Sequence, residues 1–225
     1  MNITMEAMLP TVLPTMRQAW QSVPAQQVIL YDVSWETYER LLTEHDGNSS
    51  THFAYDRGTL EIMVLSAQHE RDADILTLLV NVLAEEMEID TASFGSTTFR
   101  RRDLARGFEP DACFYFQNEA RVRSKNKIDL NIDPPPDLII EIDITSPSLN
   151  KFPIFATLGI PEVWRYDGER VSIWKLETQE YHKLAESQLL SKVTGAILTE
   201  LLEAGRQMKR TAWLRQVRSW ARQSK

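Results

Sequence analysis

Residues 109–111 read EPD, and residues 136–143 read PDLIIEID. The first segment leads into an apolar run and the second is itself strongly apolar, so both predict buried strands with carboxylates at their ends. Side chains alternate between the two faces of a strand, so Glu141 and Asp143 project from the same side. If the two strands are neighbours, Asp111 lies beside Glu141 and Asp143. Three converging carboxylates repel one another unless a cation binds, and their oxygens suit Mg²⁺ or Mn²⁺. This arrangement is typical of sites that cleave phosphodiester bonds.

The composition limits the class of protein. The chain has 225 residues, enough for one large domain with its own core. We expect no membrane contact, because no apolar run reaches transmembrane length and residues 1–15 lack the features of a signal peptide. A single cysteine, Cys113, excludes an internal disulfide framework and a zinc cluster of thiolates. Together these features predict a cytoplasmic protein.

The charge is unevenly distributed. The net charge of −7 argues against broad electrostatic adhesion to nucleic acid, which normally needs a basic surface. Residues 206–225 contain seven basic residues and no acid, so the remainder of the chain carries −14. We expect part of this negative charge to be metal ligands that a cation neutralises.

The pattern of apolar residues and breakers predicts a mixed α/β or α+β class with one central sheet. Ser34 is an N-cap for a helix over 35–45, and Ser66 for a longer helix through residue 87. A hairpin over 53–65 turns at 56–58. The predicted strands are 94–100, 112–116, 138–144, 163–166 and 171–176, and the later helices are 152–158 and two that begin near 197 and 207. Residues 118–136 are predicted to be an exposed connection.

The predicted organisation has three parts. Residues 1–27, which carry three prolines, are expected to form an irregular arm. Residues 28–185 form the main domain. Residues 186–225 form a helical extension that packs on the same domain.

At the carboxylate segments the chain resembles the Uma family, a bacterial group of putative restriction endonucleases with the PD-(D/E)xK nuclease fold. The matching pieces span about residues 33–176 and comprise 55–61, His69, 109–111, 136–148 and 159–164. The combination is specific, although each piece alone is weak. The resemblance implies a restriction-endonuclease-like α/β core with a mixed central sheet flanked by helices. It also implies Mg²⁺- or Mn²⁺-dependent hydrolysis of DNA.

The resemblance also assigns roles. In that superfamily the second strand supplies an Asp and the third strand the (D/E)xK motif, which implies that Asp111 and Glu141 bind the metal. Asp143 stands where the motif has its lysine, and is either a further ligand, an outer-shell residue or a sign that the lysine role is lost. Many family members carry a lysine on the next helix, and Lys151 occupies the comparable position.

Two further candidates lie at the start of the second predicted helix. The first core helix of the superfamily can supply an acid, which here is Glu70, a candidate for holding a metal-bound water. Its neighbour His69 is a candidate for contacting a phosphate or acting as a base near neutral pH. Acids in a first helical turn are also common because of the helix dipole, and a lone histidine is often structural.

The structural interpretation of the other candidates is solvated strand ends or helix caps for Asp111 and Glu141, and an exposed lysine on a short helix for Lys151. The competing function is a catalytically degenerate nuclease fold that acts as a DNA-binding or assembly module. A glycosidase with paired carboxylates fits poorly, because two acids two residues apart on one strand lack the opposed placement that such chemistry needs.

The last helix has a basic amphipathic pattern. Trp213, Val217 and Trp220 form one apolar stripe, and the arginines lie off it. The stripe predicts docking on the body of the protein or on a second copy, whereas the arginines either contact DNA or neutralise acids. A homodimer is a further expectation, because enzymes that cut both DNA strands often need two sites.

Overall fold

The computed structural model describes residues 26–45, 51–144 and 149–224. Its strands are β1 Gln26–Leu30, β2 Thr51–Asp56, β3 Thr59–Val64, β4 Ala92–Gly95, β5 Phe99–Arg101, β6 Arg106–Phe108, β7 Ala112–Tyr115, β8 Leu138–Ile142, β9 Glu162–Tyr166, β10 Val171–Glu177 and β11 Glu180–Leu184. Its helices are α1 Trp35–Glu44, α2 Ala67–Glu86, α3 Glu119–Val122, α4 Phe152–Leu158, α5 Gly195–Gln207 and α6 Arg210–Gln223. None of these helices is long and apolar enough to span a membrane.

The strands form two sheets. The first is antiparallel and has the order β1-β3-β2-β6-β5, and the second has the order β11-β10-β9-β8-β7-β4. In the second sheet β8 and β9 run parallel and the other neighbours run antiparallel. The predicted mixed α/β class, with a mixed sheet flanked by helices, is therefore confirmed. The antiparallel sheet stands beside it, where the sequence predicted a single sheet.

Three predictions about elements need correction. The strand predicted over 94–100 is two strands, because Gly95 has a φ of +59° and β4 and β5 belong to different sheets. Residues 118–136 contain α3 and bury apolar side chains, so they are not simply an exposed connection; these side chains include Val122, Ile128 and Leu130. Gln26 and Gln27, placed in the irregular arm, begin β1 because they pair with β3. Residues 1–25 of the arm lie outside the described residues.

Local capping chemistry explains the predicted helix starts. The Ser34 hydroxyl oxygen accepts a hydrogen bond from the Thr37 N–H at 3.2 Å. The Ser66 hydroxyl oxygen accepts one from the His69 N–H, also at 3.2 Å. Each cap satisfies one of the backbone donors that a helix leaves unpaired at its N-terminus. The second cap also fixes His69 in the first turn of α2.

The two faces of the second sheet pack against different layers. Ile140 and Ile142 of β8 face a core that includes Leu79 of α2. Ile139, on the opposite face, packs with Phe108 of the first sheet and with α4. Side chains alternate along a strand, so odd-numbered residues of β8 point toward the first sheet. This alternation directs Glu141 into the space between the two sheets.

The C-terminal helix docks on the body through its apolar stripe. Trp213 and Val217 are buried in the same core as α2. The Trp213 indole N–H donates to the Leu201 carbonyl at 2.8 Å. Arg218 and Arg222 each donate to the Glu86 carboxylate of α2 at 2.7 Å. These contacts support the docking interpretation, with two arginines of α6 neutralising an acid of α2.

Glu86→Gln is expected to lower the melting temperature at neutral pH and to have less effect in acid. Hydrogen bonds from Arg222 and Arg218 lower the pKa of Glu86 to about 2, from an ordinary value of 4.5. A depressed carboxyl pKa contributes stability that is fully present above the unfolded pKa and is lost as the pH falls through the folded pKa. The gap between variant and wild type should therefore close between pH 4.5 and about 2.

Thermal denaturation followed by circular dichroism at several pH values measures this gap. Glu200→Gln, at an exposed position of α5, is the matched control and should leave the melting temperature unchanged. A gap that is the same at acid and neutral pH would show that the two ion pairs are not its source.

Candidate active site

Residues 109–111 carry the chain from the first sheet to the second. The Glu109 N–H donates to the Phe53 carbonyl at 3.1 Å, and its carboxylate accepts from the Phe53 N–H at 2.9 Å and the Thr98 hydroxyl at 2.5 Å. Two residues later the Asp111 N–H donates to the Ile140 carbonyl at 3.2 Å, beside β8. Glu109 therefore anchors this crossover to the first sheet. Asp111 lies where the two sheets meet.

Asp111 is a buried carboxylate held between two histidines. Its Oδ2 accepts a hydrogen bond from the Ile142 N–H at 2.6 Å. His52 Nδ1 lies 3.4 Å from Oδ1, and His69 Nε2 lies 3.4 Å from Oδ2. Burial by itself raises the pKa of Asp111, but His52, His69 and Lys151 outweigh it and the pKa lies below its usual range. His69 therefore lies next to the carboxylate of Asp111, which is ionised at neutral pH.

His52 contributes to this arrangement and was not predicted as a site residue. Burial lowers its pKa, but the hydrogen bond and charge of Asp111 outweigh burial, so the pKa lies above its usual value.

Neither ring nitrogen of His69 has a hydrogen-bond partner among the described residues. His69 Nε2 therefore faces Asp111 Oδ2 at 3.4 Å without forming a hydrogen bond to it.

Glu141 and Lys151 form the second part of the site. The Lys151 ammonium donates to Glu141 Oε2 at 2.9 Å. Burial, and then the charge of Asp111, raise the pKa of Glu141 to about 7 even though Lys151 opposes them. Carboxylates including Glu141 raise the pKa of Lys151 although burial acts against them. The lysine at the start of α4 therefore reaches the carboxylate cluster.

A third carboxylate, Glu61 of β3, completes the cluster. Its Oε2 accepts the Leu149 N–H at 2.7 Å, and its Oε1 lies 3.9 Å from Lys151 Nζ. Glu61 belongs to one of the family-like pieces but was not predicted as a site residue. A signal was present, because an acid in the middle of the apolar strand 59–64 is costly to bury without a partner.

Residues 35–210 match the model of the Uma2 family, described as "Putative restriction endonuclease". The chain belongs to the Uma2 family. The predicted resemblance is confirmed, and the Uma2 description supports nuclease chemistry as the class of activity. No curated protein matches the chain.

One similar solved structure is that of a "putative nuclease belonging to DUF820" from Anabaena variabilis. It is 18% identical to this chain, the match covers 67% of this chain and 90% of that chain, and the TM-score is 0.48.

Two predicted site residues have other surroundings than the Uma2 resemblance implied. Glu70 is exposed on α2 while its neighbour His69 is buried, because consecutive helical residues do not face the same way. Asp143 accepts hydrogen bonds from Arg165 of β9, from Nε at 3.0 Å and from Nη2. The guanidinium thus already engages the carboxylate that was a candidate third ligand. Metal ligation by Asp143 and a water-holding role for Glu70 stay predictions.

The carboxylates of this Uma2 site fit a hard divalent cation that keeps part of its water. Glu141 Oε1 is buried and accepts no hydrogen bond from the part of the chain that the structure describes. Within that part, no three His, Cys, Asp or Glu side chains already form a set that could hold a metal ion. Mg²⁺ commonly binds one or two carboxylates and fills its remaining positions with water and substrate oxygens. Asp111 and Glu141 are the two carboxylates of the cluster that could supply such ligands.

Proposed function

We propose that this protein is a metal-dependent endonuclease that hydrolyses DNA phosphodiester bonds with Mg²⁺ or Mn²⁺. The observation that carries the proposal is the 2.9 Å contact between Lys151 and Glu141 in the cluster that includes Asp111. Phosphodiester hydrolysis needs acids that hold a metal and a cation that offsets charge on the phosphate. Asp143 lacks the positive charge of the usual motif lysine, and Lys151 supplies it from the position just before α4. The Uma2 description supports the nuclease class.

Each residue has a separate role in this proposal. Asp111 and Glu141 bind the metal, and the Ile142 N–H holds Asp111 in its orientation. When bound, the metal polarises the scissile phosphate and lowers the pKa of the attacking water. Lys151, held beside Glu141, offsets the charge that develops on the phosphate. His69 lies beside Asp111, where it can hydrogen-bond a phosphate oxygen or a water.

The remaining candidates act further from the reaction. Asp143, engaged by Arg165, is assigned to the outer shell of the site. Glu70, exposed at the start of α2, is assigned at most to a water-mediated contact. The predicted homodimer stays a prediction.

Mn²⁺ is expected to raise the melting temperature of the wild-type protein. A ligand at 100 times its Kd stabilises the native state by about 2.7 kcal/mol, which corresponds to roughly 5–10 °C for a protein of this size. Asp111→Asn and Glu141→Gln should each remove that response, because each removes a proposed ligand charge. Glu162→Gln is the control, because it changes a buried acid that accepts hydrogen bonds from Ser187 and Trp164. This variant should retain the Mn²⁺-induced rise in melting temperature. An unchanged response in both site variants would exclude this metal site.

Cleavage is assayed as nicking and linearisation of supercoiled plasmid with Mg²⁺ or Mn²⁺, with EDTA as the control. A parallel incubation with RNA tests the choice of nucleic acid. A wild-type protein that gains stability from Mn²⁺ but leaves both nucleic acids intact would contradict the enzyme proposal. It would favour the alternative of a degenerate nuclease fold that binds DNA or assembles with a partner.

A further inference from the structure

Glu61 reaches the site from the first sheet, while Glu141 reaches it from the second. We propose that Glu61 is a positioning residue: its carboxylate ties the segment that enters α4 to β3 and so holds the Lys151 ammonium at Glu141. The kinetic part of this inference rests on the proposed function. A chemical-labelling measurement tests it without any cleavage activity.

The first support is that two interactions of one carboxylate restrain the same short segment. Glu61 Oε2 accepts the Leu149 N–H at 2.7 Å, and Glu61 Oε1 lies 3.9 Å from Lys151 Nζ. Leu149 and Lys151 are two residues apart. A lysine side chain is a point charge on a flexible four-carbon stem, so one contact with Glu141 leaves it considerable freedom. The backbone hydrogen bond and the second charge restrict that freedom.

The second support is the burial of Glu61. Its exposed fraction is 1%, and a buried carboxylate is costly unless it is paired and hydrogen-bonded. Oε1 has no hydrogen-bond partner among the described residues. The Lys151 ammonium, itself mostly buried, is the positive charge nearby. Glu61 and Lys151 therefore compensate one another across the junction of the two sheets.

The surroundings of Glu162, another buried acid, differ from those of Glu61. Its Oε1 accepts hydrogen bonds from Trp164 Nε1 at 2.7 Å and from the Ser187 hydroxyl at 2.6 Å. Its Oε2 accepts the Gln188 N–H at 3.0 Å. Both oxygens of Glu162 are thus satisfied by neutral donors, whereas one oxygen of Glu61 faces a lysine. Glu162→Gln is therefore a matched control for the same chemical change.

The labelling experiment measures acetylation of Lys151 by an N-hydroxysuccinimide ester, with quantification by peptide mass spectrometry. Glu61→Gln should raise the Lys151 labelling rate roughly tenfold, the factor by which loss of about 1.4 kcal/mol changes an opening equilibrium. Glu162→Gln should leave it at the wild-type value. An unchanged rate in folded Glu61→Gln protein would overturn the proposal, whether or not the protein cleaves DNA.

The kinetic experiment separates positioning from metal ligation. Glu61→Gln should lower kcat for plasmid nicking by roughly 10- to 100-fold, the usual cost of losing a supporting contact around a site. The Mn²⁺-induced rise in melting temperature should persist, because Glu61 is not a proposed ligand. In a Lys151→Met background, Glu61→Gln should not lower kcat any further, because both substitutions act through the Lys151 ammonium. Loss of the Mn²⁺ response, or a full additional loss in that background, would contradict positioning.

Glu61→Asp covers the case in which the glutamine variant does not fold. It keeps the charge but retracts the carboxylate by one methylene, so the Lys151 labelling rate should be higher than in the wild type. Circular dichroism establishes which variants are folded. Labelling of folded Glu61→Asp at the wild-type rate, with wild-type kcat, would overturn the proposal in that case.

Discussion

Lys151→Met is expected to reduce the rate of plasmid nicking by roughly 10²- to 10³-fold, the usual cost of losing one electrostatic contact to the transition state. Methionine has a similar length and no charge, so the variant removes the ammonium while filling most of its space. In the wild type that ammonium lies 2.9 Å from Glu141, next to the proposed metal ligands. Supercoiled-plasmid cleavage with Mg²⁺ or Mn²⁺ measures the loss.

Two controls accompany this variant. Lys209→Met makes the same change at an exposed position before α6 and should leave nicking unchanged. The Mn²⁺-induced rise in melting temperature should survive Lys151→Met, because Asp111 and Glu141 are both present. Robust cleavage by the variant would exclude Lys151 as the replacement for the motif lysine, while leaving the metal site in place.

Asp72→Asn is expected to lower the free energy of unfolding by about 3–5 kcal/mol, the usual effect of breaking a buried ion pair from one side. Asp72 is 0% exposed and accepts hydrogen bonds from Arg206 Nε at 2.8 Å and Nη2 at 2.7 Å. The Arg206 guanidinium also lies 5.0 Å from the centre of the Tyr166 ring. The variant removes the buried partner of this guanidinium and leaves the more exposed Glu203 as the acid beside it. Such a loss is a large part of the roughly 5–15 kcal/mol that stabilises a typical domain.

Urea denaturation of the two proteins measures the difference. Asp74→Asn is the matched control, because Asp74 lies two residues further along α2, has a side chain that is 60% exposed and pairs with Arg210 at 3.1 Å. An exposed pair contributes only about 0–1 kcal/mol. Equal, small effects of the two variants would show that the buried pair does not hold the end of α5 to α2.

Local chemistry explains which elements could be predicted. Ser34 and Ser66 begin α1 and α2 because a side-chain oxygen and a backbone N–H three residues on meet within one turn. Gly159 ends α4 with a φ of +78°, a conformation that glycine adopts readily. The apolar runs of β7 and β8, with Asp111 and Glu141 at their ends, are likewise visible in the chain itself. These features depend on residues that are close in sequence.

The composition of the site was only partly visible in the sequence. Asp111, Glu141, Lys151 and His69 were predicted, and the structure brings them together. Glu61 was not, because its contact with the segment before α4 joins residues 88 positions apart. Glu70 and His69 are adjacent in sequence, yet only the rotation of α2 against the sheet decides which of them is buried.

The sequence alone therefore determined β7, β8, the two serine caps and the acids at the strand ends, since each follows from short-range geometry and burial. Only the tertiary structure decided that 94–100 divides between two sheets, that Asp143 lies against Arg165 and that Lys151 lies between Glu141 and Glu61. The physical reason is that these arrangements depend on which distant segments pack together. Pairing of distant strands sets the face on which each charged side chain is buried, and no local pattern encodes that pairing.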